Sequence, residues 1–397
     1  MAARPSAYSR KSMEGIASRN QVNKTNKLYE IAALFLKLGT IGFGGPPANI
    51  ALMEQETVQK RKWVNQDYFL DMLAATNLIP GPNAAEMALH LGYARAGVAG
   101  MFIAGVFYII PSFLLSLVLA VLYAQYGSVP QVETIFYAIN PLLISIIVSS
   151  AYRLGKGVIK DLKSGLVFGA FLIASLLGLN ETLVIILSGV CWVLLHLPPE
   201  KKDRLAILIL SPITPIGVLS ITNTSVTGIF LYFLKTGAVM FGSGLALLAL
   251  IQNDVVNVFH WMTQRQLVDA ITVGQITPGP VSSSATFIGY QIAGLPGAVV
   301  ATLGIFLPSF LIVILTSKWL PTIKKDGIIH YFLQGITIGV IALILVVAYR
   351  ILLTAITDVL TLVIALVGLI LLWKYKVETI WLILAGVAIS LIKFYVF

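Results

Sequence analysis

The chain has 397 residues, 58% of them hydrophobic and only 11% charged, with a mean hydropathy of +0.90; soluble domains carry about a quarter charged residues, so a water-soluble globule is excluded and an integral membrane protein is expected. The net charge of +10 asks for no nucleic acid, because Lys and Arg fall in loops and at helix ends, where membrane orientation places them. One cysteine, Cys191, and four histidines exclude a disulfide framework and a Cys/His metal cluster, and no cofactor is expected.

Residues 1–27 carry Arg4, Arg10, Lys11, Arg19, Lys24 and Lys27 without an apolar core, which predicts a basic cytoplasmic tail rather than a signal peptide or a span. A first unit follows over 28–197. Its long apolar stretches, separated by short polar loops and lacking period-two alternation, predict helices and not a β-barrel. The first stretch rises from Leu28 to Ile41, breaks at Gly42-Phe43-Gly44-Gly45-Pro46-Pro47, and returns toward Lys60-Arg61-Lys62. Each arm is too short to cross about 30 Å of hydrocarbon, so a re-entrant hairpin is expected. A second hairpin rises from Asp67 to Ile79, breaks at Pro80-Gly81-Pro82, and returns through Glu86 and His90 to Arg95. Four spans are expected after it, over 97–126, 133–154, 164–179 and 181–197. Residues 198–228 read as a linker with an extra crossing over 205–221. Residues 229–397 repeat the plan, with breaks at Phe241-Gly242-Ser243-Gly244 and Thr277-Pro278-Gly279-Pro280.

The second unit is a copy of the first. Phe35-Leu36-Lys37-Leu38-Gly39 returns as Phe233-Leu234-Lys235-Thr236-Gly237, and Trp63, Gln66 and Asp71 return as Trp261, Gln264 and Asp269. After a shift of one residue, Pro111-Ser112-Phe113-Leu114 returns as Pro308-Ser309-Phe310-Leu311. Basic residues gather at Lys60-Arg61-Lys62, Arg95 and Arg153 in copy one, but at Lys318, Lys324, Lys325, Lys374 and Lys376 in copy two. The copies therefore prefer opposite orientations, and the extra crossing inverts the second. The expectation is an all-α polytopic membrane protein of two inverted-topology repeats, an architecture common among transporters, with the N-terminus cytoplasmic and the C-terminus outside.

Two prolines around a glycine end one helix and start another, since proline removes a backbone donor and crowds the preceding turn. Inside a bilayer such backbone survives only where protein buries it or where it lines an aqueous cavity. Matched breaks in both copies therefore predict a transport site near the midplane. Each restart offers unpaired N–H groups and about half a positive elementary charge, and several aimed at one point make a cage for an anion. The predicted substrate-binding residues are Phe43, Gly44, Gly45, Pro46, Pro80, Gly81, Pro82, Asn83, Gly242, Ser243, Gly244, Thr277, Pro278, Gly279, Pro280, Ser282 and Ser283. The glycines let backbone come close to a ligand; Asn83, Thr277, Ser282 and Ser283 add side-chain donors or, taken singly, cap helices. Lys37 and its copy Lys235 either attract an anion into the site or snorkel to the interface. Glu86, with His90 on the same face, either exchanges protons during a transport cycle or stabilises its own helix N-terminus; its copy position is Ser284. Asp71 and Asp269 read as structural pairs.

Phe43-Gly44-Gly45-Pro46, Pro80-Gly81-Pro82 and Pro278-Gly279-Pro280 together, in a likeness that runs over essentially all of both copies, resemble the chromate ion transporter family in its two-domain, long-chain form. The resemblance implies an inner-membrane carrier, not an enzyme, that exports chromate dianions and so confers chromate resistance. It implies sulfate as the look-alike substrate, the lipid bilayer as surroundings, and leaves a homodimer open. Copy two departs from the pattern, with Ser243-Gly244 where copy one has Gly45-Pro46, which puts equal roles for the halves in question. The competing readings are uptake or exchange of sulfate or another oxyanion, a passive anion channel, and a membrane-embedded enzyme. Against the last stands the lack of a His/Cys cluster, a nucleophile motif or a close pair of intramembrane carboxylates.

Overall fold

The computed structural model describes residues 26–76, 81–126, 130–196, 225–242, 245–317 and 327–396; the crossing expected at 205–221 and the tail over 1–25 lie outside them. The first hairpin consists of α1, over 26–41, and α2, Gly45–Glu54, continued by one π-helical turn, Gln55–Lys60. Proline stands in the first turn of α2, where its missing N–H has no helical partner to lose. In a straight helix Lys37 and Glu56 would lie about 28 Å apart. Instead Lys37 Nζ meets Glu56 Oε1 at 3.0 Å, and Trp63 Nε1 donates to Glu30 Oε1 at 3.1 Å. The arms therefore double back, as the short apolar stretches require.

Helix α3, Gln66–Thr76, leads to the extended pair β1, Gly81–Pro82, and then to α4, Asn83–Tyr126. Helix α4 is not one rod, because the backbone leaves helical geometry at Ala96 and Gly97. A Cβ added to Gly92 would stand 2.4 Å from the Gly100 carbonyl oxygen, which only a reversal of the chain between them allows. The return arm to Arg95 and the span from 97 are thus separate, as the charge at Arg95 implied. Copy one continues with α5, Pro130–Val158, α6, Leu162–Leu176, and α7, Glu181–His196. Helices α6 and α7, with 15 and 16 residues, reach about 22 and 24 Å, at the short limit for a crossing.

Copy two reproduces this locally. It runs α8, Val226–Val239, β2, Phe241–Gly242, and α9, Leu245–Gln252, with its own π turn, Asn253–Val258. Next come α10, Gln264–Ile276, a 3-10 turn, Val281–Ser283, and α11, Ser284–Thr316, broken at Ala293 and Gly294 as α4 is at Ala96 and Gly97. The last helices are α12, Ile328–Ala355, α13, Val359–Trp373, and α14, Thr379–Val396. Local chemistry starts matching helices: Asp161 accepts from Ser164 N–H to cap α6, and Asp358 accepts from Thr361 N–H to cap α13, both at 2.8 Å. Asp358 is exposed, and the hydrogen bond from Tyr137, followed by the Thr361 amide, brings its carboxyl to about 2.

Packing ties the copies into one body. Inside each copy the first arm lies against the first span: a Cβ on Gly39 would meet the Tyr108 carbonyl at 2.5 Å, and one on Gly237 the Ile305 carbonyl at 2.4 Å. Between copies, α4 packs on α11, with Phe102 and Phe310 stacked at 5.2 Å. Helices α6 and α7 pack on α12, while α13 and α14 pack on α5. Each copy thus lends its last two helices to the other. Small residues permit this close approach, as where Gly339 meets Ser188 and Gly386 meets Leu142. Among the described residues four apolar stretches are long enough to cross a membrane, Asn83–Tyr126, Phe136–Val158, Val281–Thr316 and His330–Ala355. Leu114, Val118, Leu303, Leu311 and Ile370 are exposed on outer faces, where lipid tails would replace water. The protein is an all-α polytopic membrane protein built on two repeats.

Candidate functional site

The four chain breaks meet, and they meet crosswise. Gly81 N–H donates to the Met240 carbonyl at 2.6 Å, and Gly279 N–H donates to the Gly42 carbonyl at 2.9 Å. The second break of each copy is therefore bonded to the first break of the other. Gly81 and Pro82 also pair in parallel with Phe241 and Gly242. Pro80, Ser243 and Gly244 lie outside the described residues.

Between the breaks lies a cavity lined by Pro46, Pro82, Asn83, Ala84, Gly279, Pro280, Val281 and Ser282. Those residues stand at the starts of α2 and α4 and in the 3-10 turn that leads into α11, so three helical starts border one space. Its volume is about 10 Å³, room for one water and too little for a tetrahedral oxyanion. Phe43 and Gly44 stand beside this lining, at the break that Gly279 closes.

The hydroxyls around the cavity divide into two groups. Ser283 Oγ is shared between Ser116 Oγ at 3.3 Å and Thr277 Oγ1 at 3.2 Å, and Thr277 also donates to the Gly274 carbonyl. Ser282 Oγ is fully buried and has no hydrogen-bond partner. A buried polar atom left without a partner costs about 1–3 kcal/mol, and this one belongs to a residue that lines the cavity.

Asn49 is a central residue that its sequence context conceals. Its side-chain amide donates to the carbonyls of Gly42 at 3.1 Å and Gly45 at 3.0 Å, and reaches that of Gly279 at 3.4 Å. Its copy position is Leu247, so this clamp exists on one side only. The one signal in the sequence is a lone asparagine inside an apolar arm.

Gly45 has φ 76° and nothing within 4 Å of an added Cβ; there the turn's backbone angle, rather than crowding, requires glycine. Gly81 is confined as well, with φ 147° and an added Cβ only 2.1 Å from Glu86 Oε1 and 2.5 Å from Ser309 Oγ. Glu86 is fully buried behind this turn, and neither of its oxygens has hydrogen-bond geometry to a partner. His90, one helical turn on, is buried too; its Nδ1 lies 3.3 Å from Ser317 Oγ, and its Nε2 has no partner.

The lysines stand elsewhere. Lys37 is half exposed and is not among the cavity-lining residues. It shares the buried carboxylate of Glu56 with Lys60, at 3.1 Å, and with Arg61. Burial works against the charge of Glu56, but hydrogen bonds from Lys37, Lys60 and Arg61 outweigh it and bring the carboxyl from 4.5 to about 2. Lys235 is likewise exposed and lies within electrostatic reach of Asp254, which occupies the copy position of Glu56. In both copies the lysine is within electrostatic reach of a carboxylate on the returning arm, and in copy one the two form an ion pair across the hairpin. The aspartates differ: Asp71 is exposed, whereas Asp269 is buried and held by Tyr123 at 2.8 Å and Asn140 at 3.3 Å.

Comparison with known proteins identifies the family. The family described as Chromate transporter matches residues 29–193 and 227–391, one match for each copy. The chain is 34% identical over 365 residues to a probable chromate transport protein of Synechococcus elongatus, covering 89% of this chain and 92% of the relative. It is 34% identical over 382 residues to a chromate transport protein of Cupriavidus metallidurans, covering 92% of each. An uncharacterized transporter of Bacillus subtilis is 32% identical over 170 residues, 41% of this chain but 85% of its own length, a relative about the size of a single copy. No solved structure matches. With both copies matched over nearly their full extent and the same breaks at the centre of each, the chain belongs to the chromate transporter family.

Proposed function

We propose that this chain is a secondary carrier that exports chromate across the cell membrane, through the cavity where the four breaks meet. The observation that carries the reading is the convergence of three helical starts on a buried space whose Ser282 hydroxyl has no partner. Aligned backbone N–H groups and a free hydroxyl suit a tetrahedral dianion. Sulfate has the same shape and charge, and a cage of donors separates the two poorly, so it is the competing substrate. The relatives named chromate transport proteins favour chromate.

In this conformation the cavity is too small to hold an oxyanion. Admitting an anion requires the Gly81–Met240 and Gly279–Gly42 bonds, which tie the breaks together, to part. Opening them alternately would expose the cavity first to one face of the membrane and then to the other. The distribution of Lys and Arg supports oppositely inserted copies with the first loops cytoplasmic. In a cell that is negative inside, voltage then favours export by about 2.3 kcal/mol per charge per 100 mV.

Inverted vesicles containing the chain, supplied with labelled chromate or labelled sulfate under an imposed voltage, test the reading. Saturable uptake of chromate, with counterflow, is expected. Sulfate transport without chromate transport would replace the substrate, and non-saturating flux would replace the carrier by a channel.

A further inference from the structure

The two copies differ sharply at one place behind the cavity. In copy two Ser284 Oγ donates to the Val281 carbonyl at 2.8 Å, and Thr286 Oγ1 bonds Thr302 Oγ1 at 2.7 Å. In copy one the position of Ser284 is taken by Glu86, fully buried, whose carboxyl has the Ser309 hydroxyl beside it but no partner in full hydrogen-bond geometry. The element packed against it, α11, brings only the Ser309 hydroxyl to this spot. On its own helix the titratable neighbour is His90, and no charged side chain among the described residues interacts with it. An ionised carboxylate left alone in such surroundings costs several kcal/mol. Glu86 therefore holds its proton in this conformation. A role as a simple helix cap is disfavoured, because a cap accepts backbone N–H bonds and Glu86 accepts none.

Polar groups continue away from the cavity. Ser309 and Glu86 stand beside Gly81, and His90 follows one helical turn on from Glu86, with its Nδ1 meeting Ser317 Oγ at the C-terminal end of α11. Ser309 and Ser317 lie about 12 Å apart along that helix. These groups thus lead from the centre of the molecule toward one end of a membrane span.

We propose that Glu86 binds a proton together with the transported anion, with His90 as the relay that loads and unloads it, so that each anion moves with a proton. This rests on the carrier reading above. A dianion in the cavity, only one helical turn from Glu86, makes loss of the proton harder still, since two negative charges would then share one desolvated site. By linkage, the proton on Glu86 favours anion binding to the same degree. Release of the anion to water, with the site open, frees the carboxyl to ionise. The proton passes to His90 Nε2 and leaves by Nδ1 toward Ser317, and the next cycle reloads the carboxyl by the reverse path.

Proteoliposomes of the full chain, held at zero voltage with potassium and valinomycin and loaded with a pH-sensitive dye, test this above the pH at which chromate is fully deprotonated. A chromate gradient is expected to change the lumen pH in step with labelled chromate. A pH difference of one unit should accumulate chromate about tenfold on the alkaline side, as one-to-one coupling requires. In Glu86→Gln, chromate flux should leave the lumen pH unchanged, and chromate should equilibrate to equal concentrations. His90→Gln should slow chromate and proton flux together while keeping their ratio. Chromate flux through the wild type with no pH change overturns the proton proposal and leaves the carrier standing. Absence of any chromate flux in the wild type overturns the carrier reading, and the proposal falls with it.

Discussion

Replacing Gly81 by alanine separates two costs that meet at one turn. At φ 147° a side chain strains the backbone by about 1–3 kcal/mol. The new Cβ would also stand 2.1 Å from Glu86 Oε1 and 2.5 Å from Ser309 Oγ, and overpacking a buried site adds about 1–3 kcal/mol. Gly45→Ala is the control, because its φ of 76° carries strain while the space around the added Cβ is open. The expected gap between the two variants is therefore about 1–3 kcal/mol, read from thermal unfolding of purified protein in detergent. The double variant Gly81→Ala/Glu86→Ala removes the nearer obstacle and should recover about 1 kcal/mol or more, as a coupling between the two positions. Gly81→Ala should also depress chromate flux strongly, since it displaces the turn bonded to Met240. Equal destabilisation by Gly81→Ala and Gly45→Ala, or strict additivity in the double variant, would refute the placement of Glu86 behind the turn.

Three further outcomes are expected. Glu56 has a folded value of about 2, below its ordinary 4.5, so its stabilisation is fully present above pH 4.5 and is lost as pH falls toward 2. Because Lys37 and Lys60 are half exposed, solvent screening leaves about 1 kcal/mol; Glu56→Gln should melt lower than wild type at pH 6, and the gap should shrink on acidification and in high salt. A gap that widens toward acid would contradict the ion cluster. Ser282→Ala should weaken chromate binding about tenfold, the loss of one hydrogen bond to a charged group, with little change in melting temperature; unchanged KM for flux would remove Ser282 from the cage. Asn49→Leu, which copies Leu247 of the other repeat, should destabilise by about 2–3 kcal/mol, because carbonyls of Gly42, Gly45 and Gly279 lose their donor. An unfolding midpoint equal to wild type would show that the clamp is dispensable.

Several features of the site are legible in the sequence because their causes are local. Proline and glycine restrict or free the backbone wherever they stand, so the breaks at 42–47 and 278–280 can be read directly, and so can the turn back after Arg95. Lys37 is not legible in the same way. A lysine before a break looks the same whether it faces an anion site or a carboxylate, and its ion pair depends on a π turn that brings Glu56 onto the opposite arm. Asn49 and Ser309 escape notice for a related reason: each is an ordinary polar residue until the element facing it is known.

By itself, the order of residues determined a membrane-embedded, helical, duplicated chain interrupted at matching points. Hydrophobicity and backbone propensity act within a few residues, so they survive being read along a line. Only the tertiary structure decided that the second break of each copy closes the first break of the other, that the last two helices are exchanged, and that Glu86 stands behind Gly81 with no partner in full hydrogen-bond geometry. Those facts come from elements far apart in the chain settling into one register, and that register follows from close packing summed over many contacts, not from any one of them.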